Sequence, residues 1–332
     1  MKTVFRTVSL VFLCLFVLFT TGCSPREEVG NLAIVTGIFL NYSPESNTYQ
    51  ILAEIGDFSE YEQSSTVSAK WVKSSGETLF GAFFNLEKTA PVPLYFSHAK
   101  MLLLGNGFQT VSTRHAVEFF LNSPQIHSDI LVCATTLSED VLQKFSEKTV
   151  FKTFYEIVSK DYATNSCQLF RLYNKETEAF FLPEITAASE ESISLSTAVF
   201  YNHLYVTTYE NNEEMICRLL TDSIQNKTIS TPGFNALIKQ GDTILTEQNG
   251  TLSADCRLTV QLAEDKQNQA LPLTRKSIQT EVETTLQTLA DSLFQDLKRR
   301  NQTRILWEKS SAEELKLRCF VTVEESTLLK GR

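Results

Sequence analysis

What most constrains this chain lies at its start. Lys2 and Arg6 precede an apolar run from Val8 to Phe19, and Thr20-Thr21-Gly22 then leads into Cys23. A charged head, about a dozen apolar residues and a small-residue cleavage site make an export signal. A cysteine directly behind the small residues turns it into a bacterial lipoprotein signal. Cleavage between Gly22 and Cys23 would leave a diacylglycerol on the Cys23 thiol and a new amino terminus open to acylation. Thr20 stands where such boxes usually carry Leu. The competing readings are an uncut membrane anchor and an ordinary secreted protein. The apolar run is shorter than the ~20 residues a spanning helix needs, which weakens the first of these. Everything beyond Cys23 is expected to be a water-soluble ectodomain.

Charge narrows its partners. The formal net charge of −9 becomes −11 once Lys2 and Arg6 leave with the signal. An acidic body does not suit nucleic acid, nor adhesion to anionic lipid by charge, because both reward Lys/Arg patches. Lipid must then hold the protein at the membrane, at about 0.8 kcal/mol per buried CH₂. Five cysteines remain besides Cys14 and Cys23: Cys133, Cys167, Cys217, Cys256 and Cys319. The number is odd and the spacing holds no CxxC, so free buried thiols are expected, without a disulfide framework or a zinc site.

Periodicity predicts a mixed α/β or α+β body, with mostly antiparallel or mixed sheets flanked by helices. Leu32–Leu40 and Thr48–Ile55 read as a hairpin across a turn-rich Asn41–Asn47. Ser74-Ser75-Gly76-Glu77 offers a capping box for a helix whose apolar face is Leu79, Phe80, Phe83, Phe84 and Leu86. An apolar strand from Leu94 to Gly105 follows, interrupted by Ser97-His98-Ala99-Lys100. On a strand His98 and Lys100 face one side, which suits either an acidic partner or plain solvent. Further on come a helix over 112–121, a strand over 130–134 and a short helix over 139–148. Asn202-His203 occupies a two-residue hairpin turn, so His203 reads as a turn residue.

The clearest element is a helix over about 277–300. Ile278, Val282, Leu286, Leu289, Leu293 and Leu297 form one stripe, and the helix runs about 36 Å at 1.5 Å per residue. It either packs across a sheet or docks on a membrane subunit. A last alternating strand carries Leu317, Cys319, Val321 and Val323 on one face. The chain thus divides into a signal (1–22), a lipidated tether (23–31), an N-terminal α/β domain (32–185) with room for two subdomains, and a C-terminal α/β domain (197–332). The Ser/Glu-rich 186–196 marks the boundary.

A set of motifs in fixed order resembles a known family. Cys23 is followed by Arg26-Glu27 and Asn31-Leu32-Ala33-Ile34-Val35-Thr36-Gly37-Ile38, then Gly76-Glu77-Thr78-Leu79-Phe80. Ser97-His98-Ala99-Lys100, Phe119-Phe120-Leu121-Asn122-Ser123-Pro124-Gln125-Ile126, Leu182-Pro183-Glu184-Ile185 and Thr197-Ala198-Val199-Phe200 come next. The sequence is similar to the spore germination Ger(x)C (GerAC-type) lipoproteins, across essentially the whole chain beyond Cys23. It departs from that pattern at Ser24, Asn122 and Thr197, and its middle and tail are short. The resemblance implies the C subunit of a nutrient germinant receptor. Such a subunit is lipid-anchored on the outer face of the spore inner membrane and works with A- and B-type membrane subunits.

Catalytic motifs are missing: no GxSxG, HExxH, P-loop or GxGxxG is present. His98, His115, His127 and His203 lack ligand spacing, and His115 with Glu118 reads as a surface pair. No catalytic, metal or cofactor residue is nominated, and Cys23 is the one position with an assignable chemical role. Three functions remain in view. They are a non-enzymatic receptor subunit, a solute-binding lipoprotein of an ABC importer, and a lipid-anchored hydrolase with an unfamiliar site.

Overall fold

The computed structural model describes residues 32–57, 68–145, 149–162, 167–173, 179–187, 193–221, 224–265, 274–300, 302–303, 306 and 314–324. They form a mixed α+β structure with two sheets. The expected hairpin is present: β1 (Ala33–Ser43) pairs antiparallel with β2 (Thr48–Asp57), and β3 (Ser68–Gly76) adds outside β2. On the other side of β1 the sheet turns parallel. β4 (Leu94–Tyr95) touches its start and β5 (Met101–Leu104) its middle, followed by β6 (Leu131–Thr135) and β7 (Ala179–Ala187). β8 (Ile193–Tyr201) and β9 (Leu204–Tyr209) close that edge antiparallel.

Helices cover both faces of this sheet. Gly37, Glu54 and Trp71 are register partners on one face, and Ile38, Ala53 and Val72 on the other. The first face receives α4 (Val150–Asp161), whose Phe151 ring lies where a Cβ on Gly37 would stand. Only a glycine lets the helix come so close. The second face receives α1 (Leu79–Thr89), where Ser74 Oγ donates to the Ala82 carbonyl at 2.7 Å. Cover on both sides explains why β5 and β6 are buried along their whole length, as parallel strands usually are. Between these elements lie α2 (Arg114–Leu121), α3 (Glu139–Lys144) and α5 (Leu169–Tyr173).

The second sheet is smaller: β10 (Lys227–Ser230), β11 (Phe234–Gln248), β12 (Thr251–Asp265) and β13 (Glu314–Glu324). α6 (Asn211–Thr221) precedes it, and α7 (Arg275–Arg299) crosses between the parallel strands β12 and β13. The expected long helix is therefore present. Its stripe of Ile278, Val282, Leu286, Ala290, Leu293 and Leu297 is buried in the second core, which leaves no apolar stripe for a membrane subunit. Leu289 falls at its flank.

Several expectations need correction. The α1 cap is Thr78, whose Oγ1 accepts from Gly81 N at 3.0 Å, and Ser74 belongs to β3. Leu79, Ala82, Phe83 and Leu86 are buried on α1, while Phe80 and Phe84 face out. The strand expected over 94–105 is broken by a single helical turn at Phe96–His98. β8 begins inside the stretch 186–196 expected to separate two domains, and β8 and β9 both hydrogen-bond into the first sheet.

Candidate functional site

A cluster of buried charges joins the two sheets. β7 and β8 carry two faces with different destinations. Phe180, Leu182, Ala198 and Phe200 point into the first core, whereas Phe181 and Val199 pack with the second. Beside Val199 on that second side lies Thr197. The end of α4 arrives there with Asp161 and Tyr162, α6 brings Glu214 and Arg218, and β10 brings Lys227. Glu214 and Arg218 stand i, i+4 on α6, the spacing that lets their side chains meet.

Each group in the cluster has several partners. Tyr162 donates to the Ser196 carbonyl at 2.7 Å and lies 2.7 Å from Thr197 Oγ1 and 3.1 Å from Glu214 Oε1. Arg218 Nη1 donates to Glu214 Oε1 at 3.0 Å, and its Nη2 donates to the Asp161 carbonyl. The guanidinium also lies over the Tyr162 ring, 3.8 Å from its centroid. Lys227 Nζ completes the set, 3.4 Å from Glu214 Oε2 and 3.6 Å from Asp161 Oδ2. Next to it Ser196 Oγ donates to Glu184 Oε2 at 3.0 Å. Glu214 and Arg218 are buried, so water cannot replace a lost partner. Burial, and then the Glu214 carboxylate, push the Tyr162 hydroxyl well above its ordinary pKa, so it remains a donor.

This arrangement holds parts together. The Tyr162 hydroxyl, both Arg218 Nη groups and Lys227 Nζ are met by carbonyls or carboxylates of the protein itself. Any shift of α6 against α4 must break a charge-assisted bond in a dry environment, where such bonds are strong. The cluster thus ties the two sheets together.

A second buried carboxylate works inside the first unit. Glu54 on β2 accepts hydrogen bonds from Thr36 Oγ1, Val150 N and Phe151 N. It caps the N-terminus of α4, where Thr149 makes no side-chain hydrogen bond. Desolvation outweighs these three donors, so the Glu54 pKa is raised.

The residues singled out from sequence fall elsewhere. Gly22 and Cys23 lie outside the described residues. His98 and Lys100 are both exposed, but they flank buried Ala99 around the helical turn and do not sit side by side on a strand. His98 rests 5.5 Å from the Tyr95 ring. His203 does sit in the β8–β9 turn, with Asn202 and His203 both at positive φ. It is also buried, with Nδ1 3.2 Å from Thr113 Oγ1. Glu118 pairs with Arg114 at 2.8 Å, and that bond is the chief cause of its lowered pKa. Cys256 and Cys319, 63 positions apart and therefore unrelated by spacing, are register partners on β12 and β13.

Sequence reasoning missed Glu54, Tyr162, Glu214 and Arg218. The one available signal was the Glu214/Arg218 spacing inside an apolar helix, since a charged pair among Met215, Ile216, Leu219 and Leu220 is unusual in a solvated face. Among the described residues no group of three His, Cys, Asp or Glu could hold a metal ion, and no helix is long and apolar enough to cross a membrane.

Comparison with known proteins agrees with the fold and with the early motifs. Residues 25–187 match the family model described as the spore germination protein N-terminal domain. The chain belongs to the GerAC-type family of germinant receptor C subunits. No curated protein matches it. A crystal structure of the GerBC protein shares its fold, with a TM-score of 0.54 over 87% of this chain and 97% of that one, at 12% identity. The GerAC-type match ends at residue 187, with β7, so the coupling cluster lies across the end of the matched domain. Neither sheet has the all-parallel, doubly wound order of an importer's solute-binding lobe.

Proposed function

We propose that this chain is the lipid-anchored, non-catalytic C subunit of a nutrient germinant receptor. It would assemble with A- and B-type membrane subunits on the outer face of the spore inner membrane. One observation carries the reading: a lipoprotein-type Cys23 stands two residues before the matched germination domain begins. The GerBC-like fold and the coupling cluster support it, because a subunit that relays a signal between partners needs its two parts to move as one. In this role the protein binds no nucleic acid and requires no cofactor; it contributes surfaces and an anchor.

The test is Cys23→Ala in a sporulating strain in which this is the sole C-type subunit. The expected result is a folded protein lost from the spore membrane fraction, no incorporation of labelled palmitate, and impaired nutrient germination. Membrane retention with normal germination in that variant would overturn the proposal.

A further inference from the structure

Two cysteines that lie far apart in the chain meet on the second sheet. Cys256 and Cys319 are register partners on the parallel strands β12 and β13. Residues in register on parallel strands carry their side chains to the same face, with the backbones about 4.8 Å apart. That separation falls inside the Cα···Cα range of about 4.4–6.8 Å that a disulfide spans. Ala254 with Leu317, and Leu258 with Val321, share this face, which packs against α7.

The two thiols already engage each other. Cys319 hydrogen-bonds to the Cys256 sulfur, and Thr243 Oγ1 on β11 donates to the same sulfur at 3.0 Å. The bond from Cys319 lowers the Cys256 pKa against the effect of burial, and the bond from Thr243 adds to it. Holding the proton of that bond raises the pKa of Cys319. Access differs as well. Cys319 is partly exposed, whereas Cys133, Cys167, Cys217 and Cys256 are all buried. A reagent from outside the fold therefore reaches this pair through Cys319.

We propose that Cys256 and Cys319 are a disulfide site that clamps β13 to β12. The co-reactant is an external disulfide. The Cys319 sulfur attacks one of its sulfurs, forming a mixed disulfide and releasing a first thiol. The Cys256 sulfur then attacks Cys319, the protein disulfide closes, and the second thiol leaves. Two electrons and two protons pass to the external disulfide, which becomes two thiols. Such oxidants belong to compartments outside the cytoplasm, where disulfides persist. For its oxidant the inference rests on export of the chain by the signal that ends at Cys23; the pairing of the two thiols does not depend on it.

Closure has a mechanical result. The bond joins positions 63 apart and encloses the whole of α7. A cross-link over a long loop stabilises mainly by restricting the unfolded chain. Among the described residues β13 is paired on one side only, so the bond fixes the register of an edge strand.

The experiment uses the full chain, purified under reduction, equilibrated with oxidised glutathione, then denatured and alkylated with N-ethylmaleimide. Peptide mass spectrometry should find Cys256 joined to Cys319, with Cys133, Cys167 and Cys217 alkylated. The thermal midpoint should rise by about 5 °C or more on oxidation and return on reduction. Cys319→Ser should remove that rise. The parent carries the result by itself, so a variant that folds badly takes nothing from it. Both cysteines alkylated after oxidation, or Cys319 joined to glutathione with Cys256 still alkylated, overturns the disulfide site. A joined pair with an unchanged midpoint overturns the clamp. Closure in the purified chain, together with a cytoplasmic location in the cell, leaves the site standing and overturns the reading of Cys23 instead.

Discussion

The two sheets solve the same problem in opposite ways. The first is covered on both faces, by α1 on one and α4 on the other, so its central strands are buried throughout: β5 and β6 have no exposed residue. Among the described residues the second is covered on one face only, by α6 and α7, and its strands alternate. β13 reads exposed-buried along nearly its full length, with Leu315 and Val321 inward and Phe320 outward. Ile244 and Phe320 are more than half exposed on the uncovered face, beside a shallow groove of about 420 Å³ lined by Gln240, Asp242, Arg257 and Thr322. The difference shows where the chain is tolerant. Substitution on a face that nothing covers leaves packing alone, while the first sheet has no such face. Between the two stands the charged cluster, whose strength decides whether they unfold together.

That comparison breaks hardest at Arg218. Arg218→Met removes the partner that shares Glu214 Oε1 and leaves a buried carboxylate with only Lys227 as counter-ion. A loss of about 3–5 kcal/mol is expected, as for other broken buried pairs. Urea unfolding followed separately by near-ultraviolet dichroism of each unit checks it. The single transition of the parent should split into two; one sharp transition at an unchanged midpoint would show that the cluster couples nothing.

A smaller effect, confined to the first unit, comes from Glu54. Its pKa is raised in the fold, so its contribution to stability is complete below the ordinary carboxylate value of 4.5 and lost as pH rises through the raised one. Glu54→Gln keeps a hydrogen-bond acceptor and abolishes the titration. Relative to the parent, the variant should gain stability as pH rises above about 4.5, by about 1.4 kcal/mol for each unit by which the pKa is raised. Parallel pH series of urea midpoints test this, and a constant difference between the two proteins would refute it.

The smallest effect is predicted on the open face of the second sheet. Ile244→Ser should change stability by less than about 0.5 kcal/mol, as surface substitutions do away from special features. Differential scanning calorimetry of the isolated protein gives the value. A loss of several kcal/mol would mean that this face is covered in the folded protein, and the contrast between the sheets would fall.

Much of this was legible in the residues. The β1–β2 hairpin, the Asn202-His203 turn and the long stripe of α7 follow from turn chemistry and from periods of 2 and 3.6, which are local properties. α4 was not, although Val150, Phe151, Phe154 and Val158 form its buried face. Its N-terminus is completed by Glu54, nearly a hundred positions earlier, and no local cap announces it. The outward turn of Phe80 and Phe84 was hidden for a related reason: five apolar residues shared one arc of α1, and only the position of β3 decides which part of that arc is inside.

By itself the sequence determined a mixed α/β body and a resemblance to a germination family, and it set the expectation of an export signal over 1–22; all are properties of short motifs or single periods. Only the tertiary structure decided that Tyr162, Glu214, Arg218 and Lys227 meet, and that Glu54 reaches the N-terminus of α4. Those facts depend on which strand lies beside which. Strand order is fixed by burial summed over the whole molecule, and no single stretch of chain carries that sum.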